Sequence, residues 1–160
     1  MKIARIAALG ALGLTAVALQ AKPAPAPAAP SAAQLVAVRQ AGMDMSAASL
    51  NLLKGASANG MALKSLSFPA NGLAKWAAAM PALFAESTKG QPSRAKPEIW
   101  TNKADFTAKA DALVTATKAL AAATAAEDKD AFASALASVG GACKGCHDSY
   151  QAAAPAKPAG

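Results

Sequence analysis

The segment Cys143-Lys144-Gly145-Cys146-His147 has the residue types and the spacing of a covalent haem attachment site. Two cysteines separated by two residues can form thioether bonds to the vinyl groups of a haem. The histidine that follows can donate an imidazole nitrogen to the iron. These are the only cysteines and the only histidine in the 160-residue chain. The segment therefore predicts one covalently bound haem c, attached through Cys143 and Cys146 and ligated by His147.

Other uses of this segment fit its residues less well. A structural zinc site needs about four nitrogen or sulfur ligands, and the chain offers three. A thioredoxin-like redox pair is expected near a βαβ pattern, and the sequence has no such alternation. A plain disulfide between Cys143 and Cys146 is another possible use of the segment, although it would assign no role to His147.

The first 21 residues have the layout of a secretory signal peptide. A basic start with Lys2 and Arg5 is followed by an apolar run over residues 6–19 and by small residues up to Ala21. The run is shorter than the roughly 20 residues of a membrane span, so an uncleaved anchor is the weaker alternative. Attachment of c-type haem is expected on the outer side of the bacterial inner membrane. We therefore expect a periplasmic protein with no stable membrane span once the signal is removed.

The rest of the chain divides by composition into three parts. Residues 22–30 alternate alanine and proline, which favours an extended, solvated spacer. Residues 31–151 have the length of one compact domain. Residues 152–160, with Pro155 and Pro158, are predicted to form a flexible tail.

The charge pattern excludes one class of partner. The chain has 16 basic and 9 acidic residues, and loss of Lys2 and Arg5 with the signal leaves 14 basic residues and a net charge of +5. The lysines are scattered and form no basic block with interleaved aromatic residues, so nucleic-acid binding is not expected. Scattered charge first indicates a solvated surface. It also leaves open a mildly positive face that steers an acidic redox partner.

Abundant alanine and apolar residues spaced by three and four predict an all-α domain. The first helix should begin at Ser31, an acceptable N-cap, and fray by Gly55. Its apolar stripe is formed by Leu35, Val38, Met45 and Leu52. The second helix should span residues 70–85, with Pro81 kinking or ending it.

Two further helices complete the domain. The third should follow residues 97–100 and end near Ala125. The fourth should begin at the N-cap Asp128 and continue through the haem motif, because Phe132, Leu136, Val139 and Cys143 recur at steps of four, three and four. Four helices and one haem predict a bundle with the cofactor inside it.

Several motifs together resemble the class II c-type cytochromes, which comprise cytochrome c′ and its low-spin, methionine-ligated relatives. The specific motifs are residues 139–150 (VGGACKGCHDSY) and 96–100 (KPEIW), and weaker support comes from residues 80–84 (MPALF) and 39–43 (RQAGM). Class I cytochromes instead carry the haem motif near the N-terminus. The resemblance implies an antiparallel four-helix bundle that encloses one covalently bound haem. Cytochrome c′ is itself a standard example of that architecture.

The resemblance also implies roles for residues outside the haem motif. Arg39 matches an arginine expected near a haem propionate, and Met43 falls where the family places the residue facing the distal side of the iron. That residue is a methionine ligand in the low-spin branch and a bulky non-ligand in cytochrome c′ proper. Met45, Met61 and Met80 are the other methionines that could serve. The family commonly has a basic residue four positions after the proximal histidine, where this chain has Gln151.

These features lead to an expected function with one main alternative. We expect a periplasmic carrier of single electrons with six-coordinate, low-spin iron bound by His147 and Met43. The alternative is five-coordinate, high-spin iron that binds NO or CO. A peroxidase-like enzyme would need a distal histidine that the chain lacks, so no enzymatic activity is expected. The expected partners are redox proteins, and the resemblance also implies a homodimer formed through the first two helices.

Overall fold

The computed structural model describes residues 28–154, in which four long helices form an antiparallel bundle. The helices are α1 (Ala32–Ala58), α2 (Ser67–Ala79), the single turn α3 (Glu98–Thr101), α4 (Lys103–Ala126) and α5 (Lys129–Tyr150). Helix α4 packs against α2 and α5, and α1 packs against α2. Within the described range the only β pairing is a single antiparallel bridge between Ala95 and Gln151. The predicted all-α four-helix architecture is confirmed.

Helix α1 begins where the sequence predicts. The Ser31 hydroxyl accepts the backbone N–H of Gln34 at 3.2 Å, and the Gln34 side chain accepts the backbone N–H of Ser31 at 2.7 Å. This reciprocal capping box satisfies two backbone donors that a helix start leaves free. The helix continues past Gly55, where fraying was expected, to Ala58. Gly60 then adopts a positive φ of 71°, a conformation that glycine tolerates without strain.

Helix α2 ends just before Pro81, as predicted. The α-helix stops at Ala79, and the chain continues as a 3₁₀ segment, Met80–Phe84. Proline has no N–H to donate inside an α-helix and its ring crowds the preceding turn. The change in helix type turns Met80 inward, where it is 2% exposed. The helix itself begins at Ser67, before the predicted residue 70.

Residues 97–100, which the prediction placed before the third helix, contribute to the separate turn α3, and the third long helix is α4. Asn102 leaves the helical region, with φ −114° and ψ 58°, and separates the two. Helix α4 ends at Ala126, beside the predicted end at Ala125. Asp128 is the N-cap of α5, as expected, because its carboxylate accepts the backbone N–H of Ala131 at 3.0 Å.

One end of the bundle is filled by aliphatic side chains and one phenylalanine. This cluster, called the aliphatic core below, consists of Leu53, Ala56, Leu63, Leu66, Ala70, Leu73, Ala116, Leu120, Ala123, Phe132, Ala135 and Val139. Leu53, Leu120 and Phe132 have no exposed surface. Burial of each large apolar side chain stabilises the fold by about 1.5–3 kcal/mol. The aliphatic core therefore holds α1, α2, α4 and α5 together.

The apolar stripe predicted for α1 is not its buried side. Val38, Met45 and Leu52 are 54%, 72% and 55% exposed, whereas Val36 and Leu53 are buried. The prediction was wrong because helix α1 contains apolar residues on two faces and periodicity cannot tell which face meets the bundle. The inward face also buries Arg39, which is 4% exposed.

Some predicted segments lie outside the described residues. They are the signal peptide at 1–21, most of the spacer at 22–30, and the end of the tail beyond residue 154. In the described part of the tail, the backbone N–H of Ala152 donates to the carbonyl of Arg94 at 2.8 Å. Between residues 28 and 154, no helix has both the length and the hydropathy to cross a bilayer.

Candidate haem site

The haem motif lies on the last turns of α5, next to a cavity. Cys143 and Cys146 are free thiols and are half-buried. Spacings of three and four residues place Cys143, Cys146 and His147 on one side of the helix. Cys146 and His147 line the cavity, whereas Cys143 packs against the aliphatic core one turn earlier. The structure thus brings Cys146 and His147 to the edge of the cavity, with Cys143 one turn earlier on the same side of α5.

The cavity has a volume of about 380 Å³. It lies between α1, the 3₁₀ segment Met80–Phe84, residues 93–95 and the end of α5. This volume is within the range of about 300–1,000 Å³ that small-molecule and cofactor sites occupy. Each of these four segments supplies lining side chains, so the cavity exists only in the folded chain.

Arg39 brings a buried positive charge to the cavity. Its Nη1 donates to the carbonyl of Leu83 at 3.2 Å, its Nη2 donates to the hydroxyl of Ser93 at 3.2 Å, and its guanidinium lies 4.3 Å from the centroid of the Phe84 ring. Burial lowers the pKa of Arg39. Among residues 28–154, no carboxylate lies within ion-pair distance of it. Burying a charge without a counter-ion costs free energy. The site therefore suits a ligand with an anionic edge, such as the propionate edge of a haem.

An aromatic wall closes one side of the cavity. The Phe106 ring packs edge-on against Phe84 at 4.9 Å and against Tyr150 at 5.5 Å between centroids. Trp100 extends the wall, and its Nε1 donates to the carbonyl of Phe84 at 3.0 Å. Such a wall gives the cavity the apolar surface that a porphyrin ring requires.

Tyr150 is buried as a residue, but its hydroxyl reaches a partly exposed carboxylate. The hydroxyl donates to Oδ2 of Asp105 at 2.6 Å. This hydrogen bond, with burial and the negative charge of Asp105, raises the pKa of Tyr150 to about 12. The interaction fixes the end of α5 against α4 directly after the haem motif.

The structure separates the four methionines that the sequence left as alternatives. Met43 and Met80 line the cavity, whereas Met45 and Met61 are 72% and 50% exposed and do not. Met43 therefore occupies the α1 side of the cavity. Gly42 lies directly before it, and the Trp76 ring packs where a Cβ atom on Gly42 would be.

The electrostatic environment of the haem motif differs between its members. Burial raises the pKa of both Cys143 and Cys146. Partial burial lowers the pKa of His147, the positive charge of Arg94 lowers it further, and Asp148 acts in the opposite direction. A neutral imidazole is the form that ligates metals. These shifts fit a histidine that serves as an iron ligand.

Sequence reasoning missed two residues of this site, Ser93 and Arg94. Both lie between Gly90 and the KPEIW motif, between the predicted second and third helices. Their contacts reach residues more than 50 positions away, in α1 and at the end of α5. The sequence offers only a weak indication of their role, namely that they are two adjacent polar residues directly after Pro92. By contrast, the described residues contain no group of three His, Cys, Asp or Glu side chains arranged to hold a metal ion.

Comparison with known proteins gives a consistent result. The family model described as Cytochrome C′ matches residues 34–151. The cytochrome c′ of Pararhodospirillum photometricum is 41% identical over 73 residues, which cover 45% of this chain and 58% of that protein. The aligned part thus spans little more than half of this curated relative.

Solved structures extend the similarity over the whole bundle. The cytochrome c′ of Thermochromatium tepidum has a TM-score of 0.73 and 35% identity, covering 79% of this chain and all of that one. A cytochrome c′ with an unusual ligand-controlled dimer dissociation has a TM-score of 0.73 and 30% identity, covering 79% of this chain and 100% of that chain. A ferrous variant of the Alcaligenes xylosoxidans protein with bound NO has a TM-score of 0.71 and 27% identity, covering 78% of this chain and 98% of that chain.

Proposed function

Because the chain belongs to the cytochrome c′ family, we propose that it binds nitric oxide or carbon monoxide at a five-coordinate, high-spin haem iron. The family carries haem c covalently, and so does this chain. Cys143 and Cys146 are the proposed attachment points, and His147 is the proposed proximal ligand. The observation that carries the proposal is the family match over residues 34–151, which includes every residue of the site.

The residues around the cavity fit this cofactor. The bound haem supplies an iron atom with one position open to a diatomic ligand. The chain supplies the surroundings: buried Arg39 offers N–H groups to a carboxylate edge, and the aromatic wall excludes water from the ring. The distal candidates Met43 and Met80 are apolar and bulky. A crowded apolar side favours small neutral ligands over water and anions.

A second candidate function is electron transfer by a six-coordinate, low-spin haem. The sequence alone favoured it, and the presence of Met43 in the cavity lining is the observation on its side. A thioether is a soft ligand that raises the reduction potential. The family match and the NO-bound relative favour the five-coordinate alternative instead. Partner redox proteins remain part of either proposal, since both functions require an electron source.

An absorption spectrum of the purified haem protein distinguishes the two functions. Five-coordinate iron predicts broad high-spin bands and prompt CO binding to the reduced protein. Ligation by Met43 predicts sharp low-spin bands in the reduced protein and a weak thioether band at the red edge of the oxidised spectrum. Low-spin bands with slow CO binding would reject the five-coordinate proposal. A pyridine haemochrome assay tests covalent attachment itself.

A pair of variants on α1 tests the role of Met43. In the five-coordinate protein, Met43→Ala should speed CO association while leaving the spectrum without ligand unchanged, because only steric crowding is removed. Met45→Ala is the matched control on the opposite, exposed face of the same helix. Conversion of a low-spin spectrum to a high-spin one by Met43→Ala would show that Met43 is a ligand.

We further propose that the protein works in the periplasm and binds ligands without turning them over. The pattern of residues 1–21 supports export, as does the expected site of haem attachment. The chain has one histidine and therefore no distal histidine for acid–base chemistry. Hydrogen peroxide consumption by the pure protein at an enzymatic rate would contradict this part of the proposal.

A homodimer through α1 and α2 is proposed from the distribution of exposed apolar side chains. In the described range, the large apolar side chains that are exposed are Val38, Met45, Leu52, Met61 and Phe68, and Phe68 is 90% exposed. All of them lie on α1, on α2 or between the two. The only exposed charged residues of α1 are Asp44 and Lys54. A solvated helix normally carries more charge, so a second copy is the proposed cover.

Sedimentation of paired variants tests the dimer. Met45→Glu should weaken the dimer, because a carboxylate would be buried between two copies. Ala108→Glu, which adds the same charge on an exposed position of α4, should leave the dimer intact. A monomeric wild-type protein at micromolar concentration would contradict the proposal. Because one related cytochrome c′ shows ligand-controlled dimer dissociation, the sedimentation measurement should also be made with CO bound.

A further inference from the structure

Residues 93–96 form a strap that crosses the cavity from α1 to the end of α5. At one end, the Ser93 hydroxyl accepts Nη2 of Arg39 at 3.2 Å. At the other end, the backbone N–H of Lys96 donates to the carbonyl of Tyr150 at 3.0 Å, and Ala95 pairs with Gln151. The strap thus joins the buried arginine to the residues that follow the haem motif.

Two side chains of the strap are held at the end of α5. The Nζ of Lys96 donates to the carbonyls of Asp148 and Ser149 at 3.3 and 3.1 Å, and Arg94 binds the residues that follow the helix. Its Nε donates to the carbonyl of Ala152 at 2.8 Å, and its Nη2 donates to Oε1 of Gln151 at 3.2 Å. Both acceptors are uncharged, and no carboxylate among residues 28–154 lies within ion-pair distance of Arg94. The guanidinium is therefore fixed in place while its charge stays unneutralised.

The position of this charge relative to the haem motif is defined by two contacts. Gln151 follows His147 by one helical turn, and its backbone N–H donates to the carbonyl of His147 at 2.9 Å. Arg94, Gln151 and His147 line the same cavity. The guanidinium of Arg94 reaches Gln151 from the strap.

We propose that Arg94, held by Gln151, is a positioning residue that places a fixed positive charge beside the proximal side of the haem site and favours the reduced state. This inference rests on the proposed haem site at His147. Reduction adds one electron and lowers the charge of the site by one, and Arg94 takes up no proton in the step. A nearby cation stabilises the state with the extra electron. The ferrous state is the one that binds CO, so Arg94 supports ligand binding without touching the ligand.

Charge removal at Arg94 tests the proposal in the complete haem protein. Arg94→Gln should lower the reduction potential measured by spectroelectrochemistry. Lys118→Gln removes the same charge from an exposed position of α4 and should lower it much less. Since Arg94 is exposed, added salt should screen its charge and shrink the difference between wild type and Arg94→Gln. Equal shifts in the two variants would overturn the proposal.

Relocation of the guanidinium separates charge from packing. The double variant Arg94→Gln/Gln151→Arg puts the charge on α5 itself and should restore the potential of the wild type. Arg94→Lys keeps the charge without the fork of donors and should stay close to wild type, which provides a folded comparison if Arg94→Gln is unstable. A double variant that keeps the low potential of Arg94→Gln would overturn the proposal.

The same measurements keep this inference separate from the proposed function. A wild-type protein without covalent haem would contradict the function. Arg94→Gln protein with intact haem, normal CO binding and an unchanged potential would contradict only the role of Arg94.

Discussion

The two ends of the bundle are built from different kinds of side chain. In the aliphatic core, Leu53, Leu120 and Phe132 have no exposed surface and pack within a cluster of apolar side chains. At the cavity end, aromatic rings line an open space and a buried guanidinium, that of Arg39, has no carboxylate near it among the described residues. The first end is complete as the chain folds. The side chains at the second end are suited to bind a group that has an apolar body and an anionic edge.

This difference indicates that folding and cofactor binding depend on largely separate sets of residues. Cys143 joins the two ends, because it packs against the aliphatic core while its neighbours on α5 line the cavity. Changes in the aliphatic core should therefore alter stability with little effect on ligand binding. Changes at the cavity end should alter stability through the haem and the ligand together.

The largest effect is expected in the aliphatic core. Phe132→Ala leaves a cavity at a fully buried position and should lower the free energy of unfolding of the haem protein by about 4 kcal/mol. CO association should stay unchanged. Denaturant unfolding and flash photolysis provide the two measurements. A loss of stability below about 1 kcal/mol would mean that the aliphatic core is not the main support of the fold.

The next effect is expected at Arg39. Arg39→Met keeps the unbranched apolar stem of the side chain and removes its charge, so a propionate would lose its buried partner. The free energy of unfolding of the haem protein should fall by about 3 kcal/mol. Denaturant unfolding followed at the haem absorption gives the value. Loss of the hydrogen bonds to Leu83 and Ser93 alone should lower the free energy of unfolding by only about 1 kcal/mol, so a decrease no larger than that would contradict the proposed contact.

A smaller effect compares two glycines of α1. A Cβ atom on Gly42 would overlap the Trp76 ring, whereas one on Gly55 meets no atom within 4 Å. Gly42→Ala should therefore destabilise the protein by about 1–3 kcal/mol through overpacking. Gly55→Ala should stabilise the helix by roughly 0.5–1 kcal/mol. Thermal unfolding of both variants measures the difference, and equal effects would contradict close packing at the cavity end.

The smallest effect is a pH dependence at Tyr150, the only tyrosine in the chain. Its pKa is raised to about 12 by the bond to Asp105, while an unfolded tyrosine titrates near 10. The contribution to stability is thus complete below about pH 10 and is lost as the pH rises through the raised pKa. Ultraviolet difference absorbance should follow this single titration. Asp105→Asn should lower the pKa of Tyr150. A wild-type protein in which Tyr150 titrates near the ordinary pKa of tyrosine would exclude the hydrogen bond.

The sequence predicted a structural feature correctly wherever that feature depends on interactions between neighbouring residues. Ser31 and Asp128 cap helices because each side chain bonds a backbone N–H within three residues. Pro81 ends α2 because it lacks an N–H. The haem motif was identified from its own five residues. The face of α1 was predicted wrongly, since Val38 and Met45 satisfy the same periodicity as a buried stripe and only the position of α2 decides which face is covered.

The sequence by itself predicted the four long helices, the N-caps Ser31 and Asp128, and a haem motif at Cys143, Cys146 and His147, because these depend on short-range geometry and residue type. Only the tertiary structure decided that Arg39 is buried at the cavity and that Arg94 is held at Gln151, 57 positions along the chain. Contacts between distant segments depend on how the helices pack as a whole, and no local pattern records that packing.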